Sequence, residues 1–213
     1  PQVWAWGGGV CLGELVLAKH WGCEATQIAS TDERLQTIKD QGLNAVDRRE
    51  FKDLYFDKGK FRKDEDYTNA YLAAEKTFLG KVRDLTGGQL VNVFLDYVGV
   101  PVFRATLKAL ARQGVVATAG WKEGMSIDLV RASECIARHQ HVHTHYARYQ
   151  QGVDAVAFAE KNGWLPPLLL VLAAPWGIAA LRRAWRERSY RLVSALTWGV
   201  FLLFLAVRMG NPE

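Results

Sequence analysis

The feature that most constrains this chain lies in its first twenty residues. A short apolar run from Val3 to Trp6 gives way to Gly7-Gly8-Gly9-Val10-Cys11-Leu12-Gly13, and then to Leu15, Val16, Ala18 and Lys19 at helical spacing. This reads as strand, glycine turn and helix. A helix that begins on such a turn presents its unpartnered amides to whatever occupies the turn, and a turn without Cβ atoms lets backbone approach a diphosphate closely. Gly8, Gly9, Val10, Cys11, Leu12 and Gly13 are therefore the candidate cradle for a pyrophosphate.

The pattern then repeats. Ala25 to Ala29 is the next strand, Ser30-Thr31-Asp32 caps a helix through Lys39, and Gly42 closes it before Ala45-Val46 starts a third strand. From Phe51 to Gly80 runs a charged, aromatic-dotted insertion (Lys58, Lys60, Arg62, Lys63, Asp64, Glu65, Asp66). It is expected to be a solvated face leading into a helix that ends near Leu85-Thr86-Gly87-Gly88. Val91 to Asp96 is a fourth strand, Phe103 to Arg112 a helix, and Val115 to Ala119 a fifth strand ending at Gly120. Alternating strands and helices predict an α/β fold with a doubly wound, Rossmann-like parallel sheet. With 213 residues the chain has room for one such domain, residues 1–163, and a tail, 164–213.

These stretches resemble the cofactor domain of the crotonyl-CoA carboxylase/reductase branch of the medium-chain dehydrogenase/reductase superfamily. The resemblance rests on Trp6 to Gly13, Ser30-Thr31-Asp32-Glu33-Arg34, Asn44-Ala45-Val46-Asp47-Arg48, the charged insertion, Arg83-Asp84-Leu85-Thr86-Gly87-Gly88, Phe94-Leu95-Asp96-Tyr97-Val98-Gly99 and His145-Tyr146-Ala147-Arg148-Tyr149. It implies an enoyl-thioester reductase that uses NADPH. The second strand agrees on physical grounds. An NAD site usually ends that strand with a carboxylate for the ribose hydroxyls, whereas Ser30, Thr31, Arg34 and Arg48 suit a 2′-phosphate. Asp32 argues the other way as a candidate ribose acid, and Ser30 to Asp32 also reads simply as a helix cap. Ala119 and Gly120 would flank the nicotinamide.

Two departures from the family pattern stand out. Its glycine pair falls on Val10 and Cys11, and a valine at the first of these is expected to cost cofactor affinity. Carboxylating members carry a His after the fourth strand, where this chain has Tyr97, which argues against carboxylation while leaving hydride transfer possible. The family's catalytic domain has no counterpart here. No charged-then-apolar leader opens the chain, and strand and chain begin together, so a fragment is expected, with a catalytic domain or subunit supplied in trans or by a homodimer. The catalytic residues are unknown.

Cys11, Cys23 and Cys135 have no paired spacing, pointing to reduced thiols in the cytoplasm and away from a zinc lobe. His139, His141, His143 and His145 alternate, so on a strand all four would share one face; they are weak metal candidates beside the default of a polar sheet face or subunit edge. The excess of 27 Lys and Arg over 22 Asp and Glu favours phosphorylated cofactors, acyl-CoA or a membrane surface but is too diffuse for nucleic acid. Much of it lies in Arg182, Arg183, Arg186, Arg188 and Arg191, between two uncharged stretches, Trp164 to Leu181 and Leu192 to Val207. These predict an apolar helical hairpin, with membrane association through 164–208 and soluble packing both open.

Two functions from different classes follow. One is the NADPH-binding portion of a reductase acting on an acyl-CoA or carrier-bound acyl group. The other is a degenerate, non-catalytic scaffold or membrane-tethered module.

Overall fold

Residues 1–118, 136–144 and 148–162 are described by a computed structural model. Their strands form one six-stranded, all-parallel sheet in the order β3-β2-β1-β4-β5-β6. The elements run β1 (Gln2–Trp6), α1 (Gly9–His20), β2 (Glu24–Ala29), α2 (Asp32–Asp40), β3 (Asn44–Asp47), a 3₁₀ turn (Arg48–Phe51), α3 (Lys58–Lys63), α4 (Glu65–Thr86), β4 (Val91–Asp96), α5 (Val100–Ala109), β5 (Leu110–Thr118), β6 (His141–Thr144) and α6 (Tyr149–Asn162). The doubly wound sheet expected from the sequence is present. The strand order reverses between β1 and β4, and in such sheets ligands usually lie in a crevice at the carboxyl ends of the strands at that point.

The side chains of β1 explain how both faces are covered. Val3 and Ala5 join Leu12, Leu15, Ala25, Ile38 and Leu43 in a core under α1 and α2. Trp4 and Trp6 alternate to the other face and join Phe51, Phe78, Val82, Phe94 and Val102. Trp6 is only 1% exposed. Its indole stacks on Phe94 at 5.8 Å, meets Phe78 and Phe51 at 5.1 and 6.2 Å, and donates its N–H to Thr106 Oγ1 at 2.8 Å.

The charged insertion does more than present a solvated face. Lys58, Lys60, Arg62, Lys63, Asp64, Glu65 and Asp66 are exposed, but Tyr71 and Glu75 of α4 are buried. Glu75 pairs with Lys108 and, at 3.4 Å, with Arg104, both on α5. Arg104 in turn lies over the rings of Phe61, Phe56 and Tyr71 at 4.8, 5.3 and 5.9 Å. The insertion is thus clamped to α5 by one carboxylate, two cations and three aromatic rings.

One expected boundary is corrected. The helix read as Phe103 to Arg112 begins three residues earlier, at Val100, and ends at Ala109, so Leu110 to Arg112 belong to β5. The helix stops there because its terminal carbonyls find other donors. Gln140 Nε2 donates to Leu107 at 2.8 Å, and Arg138 reaches Lys108 at 3.0 Å and Leu110 at 3.4 Å. The chain then crosses a register shift opposite Val91 and Val93, where Gln113 has φ +59. Ala119 and Gly120, His145 and the expected apolar hairpin lie outside the described residues. Among the described residues no helix is long and apolar enough to cross a membrane.

Truncating Trp6 to Ala should cost about 3–5 kcal/mol, the usual range for a buried large aromatic. Urea denaturation of the variant and parent, compared at unchanged slope, measures it.

Candidate functional site

At the crevice, β1 hands over to α1 through Gly7 and Gly8. Gly7 has φ +147, and a Cβ there would lie 2.6 Å from Cys11 Sγ and 3.2 Å from Tyr97 Cβ. Only glycine fits, because the turn must admit both neighbours at once. Gly8 is the opposite case: a Cβ added to it meets nothing within 4 Å. The space above the turn is open and is bordered by the first amides of α1, which starts at Gly9 with no side-chain cap. A diphosphate cradle needs that combination of vacant space and unpartnered amides.

The structure places the two departures differently. Val10 is 57% exposed at the start of α1, whereas Cys11 is fully buried beneath the turn and donates through Sγ to the Trp6 carbonyl at 3.4 Å. Burial, followed by the neighbouring Glu14 and Asp96 carboxylates, pushes the Cys11 thiol far above its ordinary value, so it stays neutral and packs as an apolar group. Leu12 is buried in the core under α1 and α2, and Gly13 beside it is buried as well. Of the six expected cradle residues, Gly8 and Val10 are exposed and Gly9 is half-buried, while Cys11, Leu12 and Gly13 are buried.

Four further residues surround the turn and the end of β4: Gln27 and Glu14 carried no sequence signal, whereas Asp96 and Tyr97 lie in a stretch that carries the family resemblance. Gln27, buried on β2, donates Nε2 to the Gly7 and Gly8 carbonyls at 3.2 and 3.1 Å, which orients the turn. Tyr97 donates its amide to Trp6 O at 3.1 Å and its hydroxyl to Glu14 Oε1 at 2.6 Å, lying alongside the turn and tying β4's loop to α1. Burial, then the bond to Glu14, raises the Tyr97 phenol, which remains protonated at neutral pH. Asp96 ends β4 with no exposed surface, and its Oδ1 accepts from Val98 and Gly99 at 2.8 and 2.9 Å. Its Oδ2 is buried with no hydrogen-bond partner among the described residues. Burial pushes this carboxyl up to about 6, opposed by the two amides.

The second pole lies where β2 and β3 end side by side, with Ala29 opposite Asp47. Ser30 is exposed, and Thr31 is the α2 cap, accepting from Arg34 N at 3.4 Å. Arg34 is exposed on the first turn of α2, and Arg48 lies over the Trp6 ring at 5.9 Å. Asp32 does not stand as an isolated acid. The guanidinium of Arg49 holds it at 2.5 Å and lowers its carboxyl below the ordinary value.

The histidine row is only partly assembled. His141 and His143 project from β6 with ring centroids 6.4 Å apart, both exposed, but His139 precedes the strand in left-handed backbone at φ +55 and leaves the alternation.

A family model described as zinc-binding dehydrogenase matches residues 9–160. The chain belongs to that family, within the medium-chain dehydrogenase/reductase superfamily. Despite the family's description, no group of three or more His, Cys, Asp or Glu among the described residues could hold a metal ion. No curated protein gives a significant match. Solved structures similar to the chain include crotonyl-CoA carboxylase/reductase AntE in complex with NADP, at 20% identity and TM-score 0.65 over 78% of this chain and 41% of that one. AibC matches at 24% and 0.57 over 76% and 39%. A mycobacterial protein complexed with NADPH matches at 27% and 0.50 over 68% and 38%. The chain thus spans about two fifths of the length of each of these relatives.

Because the folded state retains the Asp96 proton to a higher pH than the unfolded chain, stability falls as pH rises from about 4 through 6, by up to about 3 kcal/mol. Asp96→Asn keeps an acceptor for both amides and removes the charge. Its melting temperature should gain on the parent's between pH 4.5 and pH 8, as followed by circular dichroism.

Proposed function

We propose that this domain binds NADPH and serves as the cofactor half of an enoyl-thioester reductase of the crotonyl-CoA carboxylase/reductase type. The observation that carries the reading is the open space over Gly8, bordered by the first turn of α1 at the point where the strand order reverses. Gly8, Gly9 and Val10 would offer amides to the pyrophosphate, while Gln27 holds the turn in shape from behind. Ser30, Thr31, Arg34 and Arg48 would receive the 2′-phosphate at the other pole. Ala119 and Gly120, following β5, would flank the nicotinamide.

When bound, NADPH supplies the hydride that reduces the β-carbon of an α,β-unsaturated acyl-CoA or carrier-bound acyl group. The chain's own residues position and shield. By the family resemblance Tyr97 stands where carboxylating members carry a His, and its phenol is engaged by Glu14, so the proposed reaction is reduction without carboxylation. No residue is assigned as proton donor; the groups that grip the acyl substrate would come from a catalytic domain or partner subunit in the cytoplasm. Membrane association through 164–208 remains a separate proposal about the tail.

A second reading, a non-catalytic module on a degenerate nucleotide fold, draws on Val10 and Cys11 standing where the family has glycines. The exposure of Val10 and the inward burial of Cys11 weigh against it, since neither fills the space over Gly8.

Titration with NADPH, exciting the tryptophans and reading energy transfer to the nicotinamide, should give saturable binding below millimolar concentration. Absence of binding at millimolar NADPH would reject the reductase reading in favour of the module. Gly8→Val should abolish the signal without loss of fold, because its side chain enters open space rather than the core.

A further inference from the structure

Arg49 is engaged far beyond what an exposed arginine needs. Its Nε donates to both carboxylate oxygens of Asp47 at 3.0 and 2.9 Å, its backbone amide donates to Asp47 Oδ1 at 2.8 Å, and its Nη2 reaches Asp32 Oδ1 at 2.5 Å. The side chains remain open to water, 51% for Arg49 and 86% for Asp32. Ion pairs this exposed add little to stability. Their arrangement matters instead for what the surface offers a ligand. Asp47 closes β3 and Asp32 opens α2, directly after Ser30 and Thr31 leave β2, so Arg49 bridges the ends of adjacent strands at the carboxyl edge of the sheet.

If the dinucleotide lies as proposed above, its adenosine ribose reaches this edge. A ribose bearing a free 2′-hydroxyl is recognised by a carboxylate acceptor, and a 2′-phosphate by cations. The edge holds both kinds of group: Asp32 and Asp47 against Arg34, Arg48 and Arg49. Without Arg49, two carboxylates would face the ligand beside two arginines and would both accept a hydroxyl and repel a phosphate. With Arg49 in place, Asp47 is held through both oxygens and Asp32 through Oδ1, and the Nη1 of Arg49, which takes part in none of these bonds, adds a further donor. We propose that Arg49 is the specificity-determining residue of the dinucleotide site, selecting the 2′-phosphorylated cofactor by neutralising Asp32 and Asp47. This inference rests on the NADPH reading and adds the residue that sets the choice.

The test measures equilibrium binding of NADPH and NADH separately, by tryptophan-to-nicotinamide energy transfer and by calorimetry, for the parent chain, Arg49→Gln and the double variant Arg49→Gln/Asp32→Asn. The expected result is that Arg49→Gln weakens NADPH by about ten- to hundredfold, the range for losing a charge-assisted bond and baring a carboxylate, while NADH binds as well or better. The double variant should recover part of the NADPH affinity, because the repelling acid is gone; a merely structural role for Arg49 would give no such rescue. The melting temperature should barely move. Equal loss of both cofactors, or an unchanged NADPH-to-NADH ratio, overturns the role of Arg49 while leaving the cofactor site standing. Failure of the parent chain to bind either cofactor overturns the underlying reading and this inference with it.

Discussion

Trp6 is the residue through which core and crevice depend on one another. Its indole is packed among Phe51, Phe78 and Phe94 and bonded to Thr106, so the end of β1 is fixed by the largest aromatic cluster among the described residues. Its carbonyl faces the other way and accepts from both Cys11 Sγ and the Tyr97 amide. The glycine turn is thereby held between β1, α1 and the loop after β4. Gly7 is what lets these three meet, because any Cβ there would collide with Cys11 and crowd Tyr97. A cradle for a diphosphate must keep its amides pointed without help from the ligand, which on the proposed reading is what this junction would supply.

The same junction explains how the chain accommodates Val10 and Cys11, where the family resemblance implies glycines. The hollow depends on which way the side chains leave the helix, and the first turn of α1 sends Val10 toward solvent and Cys11 toward the core. A sequence pattern counts glycines, whereas the ligand meets only the atoms that remain in its path. Gly8 keeps that path clear. At the other pole the conflict is electrostatic. Asp32 reads as a ribose acid in the sequence, yet Arg49, seventeen positions later, reaches back across the ends of β2 and β3 to hold it.

How much of this was readable in advance follows from the range of each interaction. β1, β2 and β4 and the helices between them were visible because period and turn chemistry are local, as with Thr31 capping α2. The end of α5 was not, because Arg138 and Gln140 that satisfy its last carbonyls come from about thirty residues on. The glycine turn between β1 and α1 was recognisable from spacing. Its supports were legible only in part: Tyr97 stood out as a departure after β4, but its bond to Glu14 and the hold of Gln27 on the turn arise only once the parallel sheet is assembled, and a lone Gln in a strand carries no pattern. The histidine row was legible in part: His141 and His143 stand side by side on β6, while His139 precedes the strand in left-handed backbone.

The central claim is that the amides at the start of α1, together with the ends of β2 and β3, form one dinucleotide site. Amide chemical-shift mapping of the isotope-labelled chain during NADPH addition tests it most directly. The account predicts that the largest shifts fall on Gly8, Gly9 and Val10, with a second group at Ser30, Thr31, Arg34 and Arg49, and that the amides of β6 stay still. Saturable shifts confined to β6 and α6, with the glycine turn unmoved, would contradict it.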